Sequence, residues 1–171
     1  MASLRYDQVQ RRRSTSTNTV FESDPALLQA IAQHLALIIP PHTQVLAGLE
    51  LGGVPIATAL ALRSGLPTVF VRKRAKDYGT RQLAEGLDVR GRRVLVVEDV
   101  VTSGGQVVAS VTDLRGLGAT VTDALCVIDR EAGGPATLAA AGITLHSLFS
   151  KTDLSSAASR SPGSRFGAPD V

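Results

Sequence analysis

Two adjacent carboxylates, two hydroxyls and two glycines fall within one run, VLVVEDVVTSGGQ, at residues 94–106. Glu98 and Asp99 follow an apolar stretch of strand character, 94–97. Thr102 and Ser103 lead into Gly104 and Gly105, and Gln106 opens a helical pattern. A loop over 100–105, running from Val100 and Val101 to the glycines, would aim backbone N–H groups from a helix N-terminus, where the dipole favours an anion. Glycines permit close approach, and the hydroxyls add donors. That is a cradle for a phosphate. Two carboxylates beside it would repel the phosphate, yet they suit the hydroxyls of a neighbouring diol. The combination fits a ribose 5-phosphate. No Gly-Lys pair occurs in the chain, which excludes a Walker-type loop. No GxGxxG follows a strand, so a dinucleotide fingerprint is excluded as well.

The elements that must position this run alternate along the chain. Asp24 and Pro25 read as helix-start signals, with Leu27, Leu28, Ile31, Leu35 and Ile38 at helical spacing until Pro40 and Pro41. A strand at 45–47 ends in a glycine-rich turn, 48–53, followed by a helix at 54–62 that ends near Gly65. A second strand covers 68–71. Residues 73–86 are polar, without apolar periodicity, and read as a long loop. The 94–97 strand is apolar throughout, as in a parallel sheet covered on both faces. A helix at 106–117, a strand at 121–128, a short helix at 135–141 and a strand at 143–148 complete the pattern. The expected fold is α/β, with a parallel-sheet core flanked by helices. Ligands in such sheets bind beyond the carboxyl ends of the strands.

The chain of 171 residues suits one domain. Residues 1–19 read as an irregular N-terminal segment, 20–154 as the domain, and 155–171 as a disordered tail of small, polar, Pro/Gly-containing sequence. The net charge of +3 is concentrated at the ends: 1–20 carry four arginines against one aspartate, while 21–150 hold eleven basic and twelve acidic residues. A near-neutral body with 4% aromatic residues and no Trp argues against a nucleic-acid platform. Cys126, the single cysteine, excludes a disulfide framework and multi-cysteine zinc patterns, and its apolar surroundings read as core. His34, His42 and His146 lie outside every motif and read as structural. Residues 25–49 carry no charge, but Gln, His and Pro interrupt them, so a membrane span is not expected. No secretory signal pattern is visible, and a cytoplasmic protein is the expectation.

The 94–106 run resembles the phosphoribosyl pyrophosphate (PRPP) signature of type I phosphoribosyltransferases. Residues 71–86, VRKRAKDYGTRQLAEG, resemble the mobile catalytic loop of the orotate phosphoribosyltransferase family. LCVIDREAGG at 125–134 is similar to that family's base-side segment. GLELGGVPIA at 48–57 is similar to its pyrophosphate loop, and VFESDPALL at 20–28 to its approach to the first core helix.

The resemblance implies magnesium-dependent transfer of ribose 5-phosphate from PRPP to orotate, giving orotidine 5′-phosphate and diphosphate in UMP synthesis. It assigns Arg72, Lys73 and Lys76 to the departing diphosphate, with Tyr78 also on PRPP. Glu98 and Asp99 would take the ribose hydroxyls, with Asp99 among the catalytic group. Val100, Val101, Thr102, Ser103, Gly104, Gly105 and Gln106 would hold the 5′-phosphate. Thr102 and Arg130 would contact orotate. Magnesium would arrive on PRPP with no protein cage, and a homodimer would share its catalytic loops between sites.

Three departures from the family pattern bear on the base. Tyr78 stands where many members have His, and Gly52 where a Lys is common. The FxLxSGxxSxxY segment and its following Lys, which close over the base, have only a weak echo in STSTNT, near Thr17 and Asn18. The reduced hood leaves open two alternatives: a phosphoribosyltransferase for another base, and a non-catalytic regulator that senses PRPP.

Overall fold

The computed structural model describes residues 21–73 and 83–160. Asp24 starts the first helix, α1 (Pro25–Leu35), by accepting hydrogen bonds from the amides of Ala26 and Leu27 at 3.0 and 3.2 Å. These satisfy donors that a helix start otherwise leaves open. Helical spacing puts Leu27, Ile31 and Leu35 on one buried face.

Six strands follow: β1 (Val45–Leu49), β2 (Thr68–Val71), β3 (Ala84–Glu85), β4 (Arg93–Val101), β5 (Thr120–Asp129) and β6 (Thr144–Ser150). They form one sheet in the order β3-β2-β1-β4-β5-β6. All neighbours are parallel except β2 and β3. The remaining helices are α2 (Gly53–Ser64), α3 (Gly105–Gly116), α4 (Gly134–Ala140) and α5 (Lys151–Arg160).

Alternation along the strands builds a core on each face of the sheet. Leu46, Leu95, Val97, Leu125 and Val127 pack with Leu27, Ile31 and Leu35 of α1 and Ile56 and Leu60 of α2. Val45, Ala47, Val94, Val96 and Ala124 pack on the opposite side with Val107, Val111 and Leu114 of α3 and Leu138 of α4. With both faces covered, the central strands read as continuous apolar runs.

The expected α/β architecture with a parallel-sheet core flanked by helices is present, with three local corrections. Val100 and Val101 belong to β4 and not to a loop, because β5 continues beside them: Val100 pairs with Ile128 and Val101 with Asp129. The phosphate-type turn is therefore only 102–104. The long polar segment after β2 contains β3, which returns antiparallel along β2. Residues 155–160, read as tail, continue α5. This helix begins with reciprocal bonds between Ser150 and Asp153, and it buries Leu154. Small residues masked a helix start that the Ser-x-x-Asp spacing encodes. Among the described residues, no helix is long and apolar enough to cross a membrane. The N-terminal segment 1–19 and the tail beyond 160 lie outside the described residues.

Candidate active site

The sheet order reverses direction between β1 and β4: β2 and β3 extend one way from β1, and β5 and β6 the other way from β4. Such a switch point leaves a crevice beyond the strand ends. The turn 50–52 after β1 forms one wall, and the end of β4 with the turn 102–104 forms the other. The walls touch closely. A Cβ on Gly52 would overlap the Asp99 carboxylate, and one on Gly53 would overlap the Val97 carbonyl oxygen.

β4 runs four residues past its last pairing with β1, which joins Gly48 to Val97. Glu98 and Asp99 therefore sit on the strand segment overhanging the crevice, each partly buried. Glu98 Oε1 accepts a hydrogen bond from the Asp99 amide at 3.0 Å. Burial is the main reason that Glu98 is pushed up to about 9; its interaction with the Asp99 side chain adds to this, and the Lys73 charge opposes it. A third acid, Glu22, joins them from the short turn Phe21–Ser23. Burial and then the Asp99 charge raise it to about 8. Its Oε1 is enclosed without a hydrogen-bond partner. Burial, reinforced by the nearby Asp99, thus keeps both carboxyls protonated at neutral pH. Hydroxyl donors of a sugar would satisfy this oxygen-rich corner. Among the described residues no group of three or more acids, histidines or cysteines is arranged to hold a metal ion, so magnesium would be held chiefly by a sugar diphosphate and water.

The two described cations that follow β2 have different partners. Lys73 is exposed, its amide donates to Glu50 Oε2 at 3.0 Å, and its charge acts on Glu98. It stands at the crevice. Arg72 instead donates from Nε and Nη2 to Glu85 Oε1, both at 2.9 Å, while its amide donates to the Leu83 carbonyl. It fastens the base of the segment between β2 and β3. Lys76 and Tyr78 lie outside the described residues.

Gly104 caps α3 with φ +81°, a left-handed conformation that glycine adopts without penalty. No side chain caps this helix start. Thr102, Ser103, Gly105 and Gln106 are exposed around it, so backbone donors and hydroxyls face solvent together. This is an anion site in the making. Across the next turn, the Arg130 amide donates to the Val101 carbonyl at 2.8 Å, which sets Arg130 beside the end of β4. Asp129 is buried, and its Oδ1 accepts from the Glu131 amide at 2.9 Å. Cys126 is fully buried in the same strand, and burial pushes its thiol far above the ordinary range, so it is core and not a nucleophile.

A strand-end acid pair, an open helix N-terminus and a nearby lysine at a switch point are an arrangement that would suit a phosphorylated sugar. The family model described as phosphoribosyl transferase domain matches residues 20–142. The chain belongs to the phosphoribosyltransferase family. The orotate phosphoribosyltransferase of Nocardioides sp. is 46% identical over 138 residues, covering 81% of this chain and 77% of that one. The crystal structure of orotate phosphoribosyltransferase from Aeropyrum pernix superposes with a TM-score of 0.75 at 30% identity, covering 88% of each chain. The Mycobacterium tuberculosis H37Rv orotate phosphoribosyltransferase, solved in complex with PRPP, superposes with a TM-score of 0.61 at 32% identity, covering 76% of this chain and 75% of that one.

In this phosphoribosyltransferase, four site-adjacent acids carried no signal in the sequence. Glu22 reaches Asp99 across 77 positions, and Glu50 reaches Lys73 across 23. Glu85 holds Arg72, and Glu131 holds Thr152. Each lies on a turn or edge strand whose neighbour is set by sheet order. The histidines do read as structural: His34 Nδ1 bonds the Ala30 carbonyl at 2.8 Å, while His42 and His146 both meet Asp123.

Proposed function

We propose that the protein is an orotate phosphoribosyltransferase, moving ribose 5-phosphate from PRPP to orotate and releasing diphosphate. The observation carrying this reading is the open N-terminus of α3 directly after Glu98 and Asp99, with the Lys73 charge acting on Glu98. The orotate phosphoribosyltransferases it resembles support the choice of base. The solved PRPP complex of one of them supports the donor.

The reaction develops positive charge on the ribose and negative charge on the departing diphosphate. Catalysis then rests on charge placement and exclusion of water. The amides of 103–106 and the hydroxyls of Thr102 and Ser103 bind the 5′-phosphate. Asp99 and Glu98 hydrogen-bond with the 2′- and 3′-hydroxyls, which fixes the ring. Lys73, with Lys76 from the following segment, neutralises the diphosphate, and the Tyr78 hydroxyl donates to one of its oxygens. Arg72 anchors that segment through Glu85. Arg130, a planar donor fork, meets the orotate carboxylate or a ring carbonyl, with Thr102 alongside. Magnesium carried in with PRPP would supply further neutralisation of the leaving group, and Asp99 and Glu98 would be the acids nearest its hydration shell.

A homodimer, with loops completing each other's sites, belongs to the same reading. The exposed Leu62 on α2 and the exposed Leu51 in the turn before it supply apolar surface for a second copy. The single buried thiol suits a reducing cytoplasm.

The test mixes protein, PRPP, Mg²⁺ and orotate and follows the loss of orotate's ultraviolet absorbance. Adenine, guanine, hypoxanthine and uracil run in parallel. Turnover of orotate is expected; turnover of another base in its place would overturn the assignment.

A further inference from the structure

We propose that Glu131 is a positioning residue, which holds Arg130 at the base by latching the β5–α4 turn to the start of α5. The proposal rests on the orotate reading above.

Glu131 has φ +53°, and among the described residues no other non-glycine side chain has positive φ. Such backbone carries a conformational cost and persists where surrounding contacts over-determine it. Those contacts are present. Glu131 Oε2 accepts from the Thr152 amide at 2.9 Å and from Thr152 Oγ1 at 2.7 Å. Its own amide donates to Oδ1 of the buried Asp129 at 2.9 Å. On the other side, the Arg130 amide is tied to the Val101 carbonyl. Arg130 is thus clamped between the end of β4 and a side chain that reaches α5.

The anchor on α5 is rigid without Glu131. Ser150 and Asp153 already cap the helix start reciprocally, with bonds of 2.7 to 3.0 Å. Ser150 pairs with Asp129 in the sheet, and Leu154 is buried. The Glu131 bonds therefore fix the turn against an existing anchor more than they cap the helix. The carboxylate at a helix N-terminus is also electrostatically favoured. The turn could relax with glycine at 131, as at the neighbouring Gly133 with φ +90°, but glycine would remove the latch.

Kinetics of Glu131→Ala, Glu131→Gln and Thr152→Val test this. The alanine variant should raise KM for orotate roughly three- to tenfold, with KM for PRPP within twofold of the unaltered protein. Gln keeps an acceptor oxygen and should restore KM for orotate to within about twofold. Thr152→Val keeps the amide donor and should give an intermediate rise. An unchanged KM for orotate in the alanine variant overturns the proposal. So does an equal rise in both KM values with a lower melting temperature, the mark of a merely structural contact. If the unaltered protein turns over no orotate, the functional reading itself fails and the proposal falls with it, a result distinct from the other two.

Discussion

A side chain at position 52 would begin inside the carboxylate of Asp99. The turn after β1 and the acid at the end of β4 are therefore in direct contact, and glycine at 52 makes that contact possible. A lysine at 52, common in the family pattern, would require Asp99 to move. Gly52→Ala should accordingly displace Asp99 and lower kcat/KM for PRPP by about tenfold or more, while circular dichroism stays native. Unchanged PRPP kinetics would show that Asp99 can yield without consequence.

Asp99 also raises both neighbouring acids, so replacing it should separate stability from activity. Asp99→Asn removes a charge that helps keep Glu22 and Glu98 protonated. Weaker PRPP binding by calorimetry is expected, together with a melting temperature at or above that of the parent at pH 8. A variant that binds PRPP normally would remove Asp99 from the ribose site.

The same acids set a pH trend for the ligand-free protein. Glu22 and Glu98 rise from 4.5 to about 8 and about 9 on folding. The folded state then holds more protons than the unfolded state between those values, and stability falls as pH rises. The contribution is fully present below about 4.5 and is lost through the range up to about 9. Thermal melts between pH 5.5 and 9 should therefore decline, and Glu22→Gln should flatten part of that slope. A melting temperature that climbs with pH would contradict the assignment.

At the opposite end of the sheet, Asp123 bridges His42 at 3.1 Å and His146 at 2.8 Å. It stands six residues before Asp129 on β5, roughly 20 Å from the site at strand rise. Burial opposes ionisation, but hydrogen bonds from His146, Thr122 and His42 prevail and lower its pKa below 3.8. That stability is present above the unfolded value and is lost as pH falls through the folded one. Asp123→Ala should cost about 1–3 kcal/mol in urea unfolding and leave KM for PRPP unchanged. A kinetic effect equal to the stability effect would refute this separation of scaffold from site.

Leu62 is 87% exposed on α2, an unusual position for a large apolar side chain facing water. Leu62→Glu should shift sedimentation from dimer towards monomer and reduce activity at low protein concentration. A monomeric parent protein would remove the dimer from the reading.

The chemistry was legible because its parts are contiguous. A strand end, an acid pair and a helix start occupy adjacent residues, so 94–106 states a phosphate-and-diol site without reference to any other segment. Alternating apolar runs likewise announce an α/β sheet, since each strand's burial on two faces is written in its own residues. Boundaries were less visible. β4 persists through Glu98 and Asp99 because β5 supplies hydrogen-bond partners, a fact absent from β4 itself. α5 begins in a stretch of small polar residues because Leu154 finds a core to enter.

The sequence by itself determined the α/β fold and the phosphoribosyltransferase family, through local order along the chain. Only the tertiary structure decided that Glu22 bears on Asp99, that Arg72 is fastened to Glu85 while Lys73 faces the crevice, and that Glu131 locks the turn carrying Arg130. These relations depend on which strands become neighbours and on how far water is excluded between them. Burial then turns ordinary carboxyls into proton-holding groups, and a charged residue into an anchor.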